Sequence, residues 1–148
     1  MVYRIAVLDD EAAELQNIKE MLLLYAKEHP EHELEIVCFT ETTALMESVS
    51  YGQENWEDAF HILFMDINLP DGAEMESARC LRQKGFDDVI IFTSSSAEYA
   101  LDAWAVEALH YLVKPVSQEG IGRVMKKAIE KLSHKYINIT CFDKTMKR

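Results

Sequence analysis

Six polar residues fall directly after short apolar runs, and their types suit one chemistry. Asp9 and Asp10 follow Ile5–Leu8, Asp66 follows Ile62–Met65, Thr93 and Ser94 follow Val89–Phe92, and Lys114 follows Leu109–Val113. Three carboxylates within reach of one another repel unless a cation sits among them. Hard oxygen ligands with room for water suit Mg²⁺. A carboxylate beside a bound metal can act as nucleophile toward a phosphoryl group. An ammonium and a hydroxyl can then bind the phosphoryl oxygens, one as a point charge and one as a hydrogen-bond donor. Each residue alone also has a plainer reading. Asp9-Asp10 after a strand can cap a helix, Lys114-Pro115 can be a turn, and Ser94 is one of four consecutive hydroxyl residues from Thr93 to Ser96.

These residues are far apart in the chain, so a fold must bring them to one edge. The short runs Ile5–Leu8, Ile36–Phe39, Ile62–Met65, Val89–Phe92 and Leu109–Val113 are rich in β-branched and large apolar residues. Such runs suit strands buried on both faces of a parallel sheet. Amphipathic stretches lie between them. Ala12, Leu15, Ile18, Leu22 and Tyr25 share one helical face, ended by His29-Pro30. Thr42–Val49 predicts a second helix. Met75, Ala78 and Leu81 start a third, closed by Gly85. Ala97, Ala100, Leu101 and Trp104 give a fourth. Ser117 is placed to cap a fifth, with a stripe of Ile121, Val124, Met125, Ala128 and Leu132 opposite Lys126, Lys127 and Lys131. Five βα units in a row imply an α/β fold, a five-stranded parallel sheet with helices on both faces. Ligands of such sheets bind beyond the carboxyl ends of the strands, where the six polar residues lie. Tyr51–Phe60 reads as a polar surface insertion, and Tyr136–Phe142 alternates like an additional strand.

Composition narrows the function classes. The chain has 148 residues, enough for one domain of ordinary core size. Its net charge is −11, unevenly placed: residues 1–113 carry −17 and residues 114–148 carry +6. An acidic surface repels phosphate backbones, which argues against nucleic-acid binding by this segment. No apolar run approaches the ~18–20 residues of a membrane span, and the N-terminus lacks the pattern of a secretory signal. Cys38, Cys80 and Cys141 show neither disulfide nor zinc spacing and fit a reducing, cytoplasmic setting.

Four motifs in order carry a family resemblance: AVLDDE, LFMDINLPDG, IIFTSSS and HYLVKP. The chain resembles the receiver domain of a two-component response regulator, the CheY-like, flavodoxin-like fold with strand order 2-1-3-4-5. The resemblance spans residues 2 to about 134. It implies that Asp66 is the phosphoacceptor and that Asp9 and Asp10 hold Mg²⁺ with Asp66, with Asp10 the more direct ligand. Asn68 stands where the family supplies a backbone carbonyl to the metal. Lys114 matches the family's lysine, before a proline whose peptide is usually cis. Ser94 aligns with the switch hydroxyl and Tyr111 with the aromatic switch. The implied partners are a sensor histidine kinase and, on phosphorylation, a second copy, and the implied switching face is that of the fourth helix, fifth strand and fifth helix.

A finer resemblance, in DINLPDGAEMESARCLR and AEYALDAWAVEALHYLVKP, is to receivers attached to LytTR-type DNA-binding output domains. That family usually has glycine where this chain has Glu74 and Glu107. If those positions need a positive φ, the loop after the third strand must differ here. The tail KYINITCFDKTMKR resembles the first strand of such an output domain. We therefore expect a receiver over residues 1–134, then a linker and the start of a truncated output domain over 135–148, expected to be an extra strand or a disordered tail. DNA contact would come only through the missing domain. Two other readings stand beside this one. A receiver fold whose aspartate is idle would be a phosphorylation-independent interaction module. A haloacid-dehalogenase-like phosphohydrolase also uses a strand-end aspartate with Mg²⁺, but typically writes DxD where this chain has Asp66 and Asn68.

Overall fold

The computed structural model describes residues 2–67 and 73–146. Its strands are β1 (Val2–Leu8), β2 (Glu33–Phe39), β3 (Ile62–Asp66), β4 (Val89–Ser94) and β5 (His110–Val113). Its helices are α1 (Ala12–Glu28), α2 (Thr42–Glu54), α3 (Ala73–Gln83), α4 (Ala100–Ala105) and α5 (Gln118–Met146), with a 3-10 turn at Trp56–Asp58. The sheet is parallel throughout, in the order β2-β1-β3-β4-β5. This is the architecture and strand order expected from the sequence.

The period-2 alternation of the strands builds two separate cores. Ile5, Val7, Phe64 and Ile91 face α1 and α5, where they meet Ile18, Leu22, Val124 and Met125. Ala6, Leu8, Met65 and Phe92 face the other way, toward Leu45 of α2, Ala78 and Leu81 of α3 and Ala103 of α4. Full burial of each large apolar side chain is worth about 1.5–3 kcal/mol, so two such layers fix the register firmly. The stripe on α5 is wholly buried, and Ser117 caps that helix by accepting a 3.0 Å hydrogen bond from the Gly120 amide. Lys126, Lys127 and Lys131 are exposed, as the pattern predicts.

Three elements depart from expectation. The face of the fourth helix picked out by Ala97, Ala100, Leu101 and Trp104 points outward, and the buried residues are Ala103 and Val106. A six-residue helix has too few turns for its apolar period to declare which face is covered. The stretch Tyr51–Phe60 is not wholly an insertion. α2 continues to Glu54, and Phe60 is buried in an edge-to-face contact with Phe39. The chain folds back tightly because Gly52 lacks a side chain: a Cβ there would lie 2.8 Å from the Asp58 carbonyl oxygen. Finally, the expected extra strand at Tyr136–Phe142 is not formed, because α5 runs on through Met146. Extending a formed helix adds one hydrogen bond per residue fixed, whereas a lone strand has no partner for its backbone.

The positive φ expected where the family has glycine is found at one of the two positions. Glu107 has φ 56°, while Glu74 sits in the first turn of α3. The Lys114–Pro115 peptide is cis, as the resemblance implies.

Candidate functional site

Backbone hydrogen bonds carry the sheet one residue beyond β1, β3 and β5 and so place the polar rim. The amide of Asp9 donates to Phe39 O at 3.1 Å, that of Ile67 to Thr93 O at 2.7 Å, and that of Lys114 to Ser94 O at 2.7 Å. Leu8 pairs with Met65 and Asp66 with Thr93, which sets Asp9 beside Asp66 at the same level. One carboxylate oxygen from each of Asp9, Asp10 and Asp66 lies within 4.8 Å of the other two. The ladder places Asp9 and Asp66, and Asp10 follows in the bend between β1 and α1.

Lys114 reaches across this group. Its Nζ donates a 2.9 Å hydrogen bond to Asp9 Oδ2. It is also 2.9 Å from Asp66 Oδ1, an ion-pair contact whose angle falls outside hydrogen-bond geometry. Asp9 is fully buried and uses its other oxygen to accept from the Glu11 amide at 2.9 Å. Asp9 does not cap α1, whose N-cap is Glu11 with no side-chain cap bond; it holds the turn that leads into the helix. Asp10 is exposed at the rim.

Burial dominates the electrostatics. It pushes the Asp66 carboxyl up to about 6; Lys114 pulls the value down, and the neighbouring Asp9 and Asp10 push it up. For Lys114, burial alone would lower the pKa, but the adjacent carboxylates of Asp66 and Asp9 outweigh it and raise it. A pocket with excess negative charge and a raised carboxyl favours either a proton or a cation. The donor set is three hard carboxylates at short mutual range, which fits Mg²⁺.

The hydroxyls sit on the opposite flank. Thr93 and Ser94 are both buried, and Ser94 Oγ accepts from the Ser96 amide at 3.1 Å. Tyr111 packs against the core on the α2, α3 and α4 side, and its hydroxyl donates to Ser96 O at 2.6 Å. Asn68 lies outside the described residues. The remaining sequence-derived candidates, Asp9, Asp10, Asp66, Ser94, Tyr111 and Lys114, converge on one end of the sheet. Sequence reasoning missed Glu74, which lines the same small cavity as Asp9, Asp10 and Asp66. The sequence marks Glu74 only as a departure from the pattern of the family it resembles, with nothing to show that the side chain turns inward. Two larger clefts, one lined by Arg79, Arg82 and Lys131 and one by Tyr25, His29 and Lys126, hold none of these groups.

Among the described residues no helix is long and apolar enough to cross a membrane. Cys38 and Cys80 are free thiols.

Comparison with known proteins agrees with this geometry. Residues 5–126 match the response regulator receiver domain family. The chain is 29% identical to the sensory transduction protein LytT of Bacillus anthracis, over 84% of this chain and 46% of that protein. It is 38% identical to the positive alginate biosynthesis regulatory protein of Pseudomonas aeruginosa, over 45% of this chain and 27% of that protein. It thus spans about half, or less, of the length of these curated relatives. The response regulatory domain of MrkE from Klebsiella pneumoniae superimposes with a TM-score of 0.71 at 21% identity, over 88% of this chain and 98% of that one. The response regulator TrrA of Thermotoga maritima, solved in complex with Mg²⁺ and beryllofluoride, gives 0.62 at 26% identity, over 85% of this chain and 98% of that one. With four motifs in order, the strand order 2-1-3-4-5 and a family match over most of its length, the chain belongs to the receiver domains of two-component response regulators, among relatives of the LytT type.

Proposed function

We propose that this receiver is a phosphorylation-controlled switch that accepts a phosphoryl group on Asp66. The observation that carries the reading is the Lys114 ammonium held 2.9 Å from both Asp9 and Asp66, inside a ring of three carboxylates. Asp9, Asp10 and Asp66, with the backbone carbonyl of Asn68, would hold Mg²⁺. When bound, the ion neutralises the carboxylates and the charge of the incoming phosphoryl group. An Asp66 carboxylate oxygen forms the new bond to phosphorus while the bond to the donor's leaving atom breaks and its electron pair leaves with the donor. The donor is the phosphohistidine of a sensor kinase or a small acyl phosphate. Lys114 pairs with the phosphoryl oxygens as a point charge, and the Ser94 hydroxyl donates a hydrogen bond to one of them.

The chain acts as a substrate of transfer and a switch, with only slow autophosphorylation and autodephosphorylation. Ser94 and Tyr111 share Ser96 as a partner, so movement of the Ser94 hydroxyl toward the phosphoryl group changes what Tyr111 binds. This shifts a two-state equilibrium at the α4–β5–α5 face. That face has an exposed apolar centre in Leu101, Trp104 and Val113, which are 87%, 84% and 47% exposed. α4 also carries the exposed Asp102 and α5 the exposed Lys127 and Lys131, opposite charges that a second copy can match by symmetry. We take the output to be a LytTR-type DNA-binding domain joined through α5, so that the receiver controls transcription without touching DNA itself.

Beryllofluoride with Mg²⁺ tests the reading. Wild-type protein is expected to give a bound ¹⁹F resonance and an increase in dimer, both lost in Asp66→Asn. A folded wild type with no bound resonance would overturn it.

A further inference from the structure

α2 and the 3-10 turn after it carry a surface that the phosphoryl switch does not use. Residues 41–60 hold five acidic residues, Glu41, Glu47, Glu54, Glu57 and Asp58, and no lysine or arginine. Glu47, Tyr51 and Glu54 are three or four positions apart on α2 and share its exposed face. Trp56 follows in the turn and is 79% exposed, and Tyr51 is 57% exposed. Among the described residues the Trp56 indole makes no hydrogen bond or ring contact, and Glu47, Glu54 and Glu57 have no ion-pair partner. The turn lies at the amino end of β3, opposite the end that bears Asp66.

Trp56 is held out on a fixed backbone. The Asn55 amide and its side-chain Nδ2 both donate to Tyr51 O, at 2.9 and 3.0 Å. The Asp58 amide donates to Asn55 O at 2.8 Å, and the Ala59 amide to Trp56 O at 3.2 Å. Arg4 of β1 clamps the end of the turn. Its Nη1 donates to Asp58 O at 2.6 Å, and its guanidinium lies 4.4 Å over the Phe60 ring. A large aromatic on a backbone already ordered binds with little further loss of conformational freedom. Tryptophan and tyrosine are also among the side chains that most often carry the energy of an interface. The charges around them choose the partner. Glutamates without a cation of their own attract lysine and arginine, whose stems cover apolar surface and whose heads bind the face of an indole. The same charges repel phosphate backbones and anionic membranes.

We propose that this surface, centred on Trp56 and Tyr51 and flanked by Glu47, Glu54 and Glu57, docks a protein partner that presents lysine or arginine side chains around an apolar cleft. It is separate from the Asp66 site and from the α4–β5–α5 face, so the proposal does not depend on the function assigned to Asp66.

The test follows the amide and indole N–H resonances of the ¹⁵N-labelled whole chain, which has two tryptophans. Trp104, 84% exposed on α4, serves as the internal reference. The probe is a synthetic amphipathic helix of lysine and leucine. One control peptide replaces its lysines with glutamate, and another replaces its leucines with serine. The lysine–leucine helix is expected to shift the Trp56 indole and the amides of residues 51–58 saturably, with Trp104 unmoved, and neither control should do so. Trp56→Ala and the double variant Glu54→Gln, Glu57→Gln should each weaken this binding about ten-fold at an unchanged melting temperature, since all three side chains are exposed. Asp66→Asn should bind the probe like wild type. Shifts centred on Trp104, equal affinity in the variants, or no binding by a folded wild type overturn the proposal. An equal response to the lysine–serine peptide shows charge acting alone and also overturns it. A Trp56 resonance that moves with the concentration of the protein itself, without probe, assigns the surface to a second copy and overturns the basic partner.

Discussion

The Tyr111 hydroxyl donates a 2.6 Å hydrogen bond to the carbonyl of Ser96, whose own amide donates a 3.1 Å bond to Ser94 Oγ. One residue of the β4–α4 loop thus joins the buried hydroxyl at the end of β4 to the aromatic ring on β5. Tyr111→Phe and Ser94→Ala should each cost about 1 kcal/mol of stability in urea unfolding. The double variant should deviate from additivity by about 0.5 kcal/mol or more, since both bonds end on the same residue. Strict additivity would show that Ser96 does not couple them.

The Asp66 carboxyl, raised to about 6, makes stability depend on pH in a defined direction. An unfolded aspartate titrates near 3.9, so between about pH 4 and 6 the folded state holds a proton that the unfolded state releases. The stability this gives is complete below the unfolded value and is lost as pH rises through 6. Asp66→Asn, which cannot ionise, should therefore stabilise the metal-free protein at pH 8 by about 1–3 kcal/mol and by almost nothing at pH 4. Thermal or urea unfolding at the two pH values checks this. A benefit that is larger at pH 4 would contradict the shift.

Arg82 closes the other end of the molecule. Its guanidinium donates to Val106 O and Glu107 O after α4, and to Phe86 O and Asp88 O before β4, at 2.7–3.0 Å. Removing it leaves four carbonyls without this donor, so Arg82→Ala should destabilise by about 2–4 kcal/mol. Hydrogen exchange should rise first at the α4–β5 turn. Unchanged protection there would show that the turn is held by other contacts.

Glu107 holds a left-handed backbone, with φ 56°, while its carbonyl is bound by Arg82. A residue with a Cβ is strained there by about 1–2 kcal/mol, whereas glycine is not. Glu107→Gly should raise stability by about 0.5–1 kcal/mol, and Glu107→Val should lower it, as measured by denaturant midpoints.

The fold was legible because its strands are buried on both faces. Runs such as Ile62–Met65 and Val89–Phe92 admit few other placements, and the residues after them became the site through the geometry of a parallel sheet. What stayed hidden depended on contacts outside those runs. The outward face of α4 is set by how Ala103 and Val106 meet the sheet, not by the periodicity of six residues. The apolar alternation of Tyr136–Phe142 yields to the helix already formed before it. Glu74 carries a familiar surface residue type, and only its 8% exposure shows it turned toward the acidic pocket. Asp9 holds the turn before α1 with one oxygen and Lys114 with the other, which no motif can express.

The most direct test is phosphorylation itself. The protein is incubated with acetyl phosphate and Mg²⁺, and intact-mass and peptide mass spectrometry follow the product. The account predicts the addition of one phosphoryl group, on the peptide containing Asp66, lost in Asp66→Asn and strongly reduced in Lys114→Met. A folded wild type that gains no phosphoryl group, or gains it equally in Asp66→Asn, would contradict it.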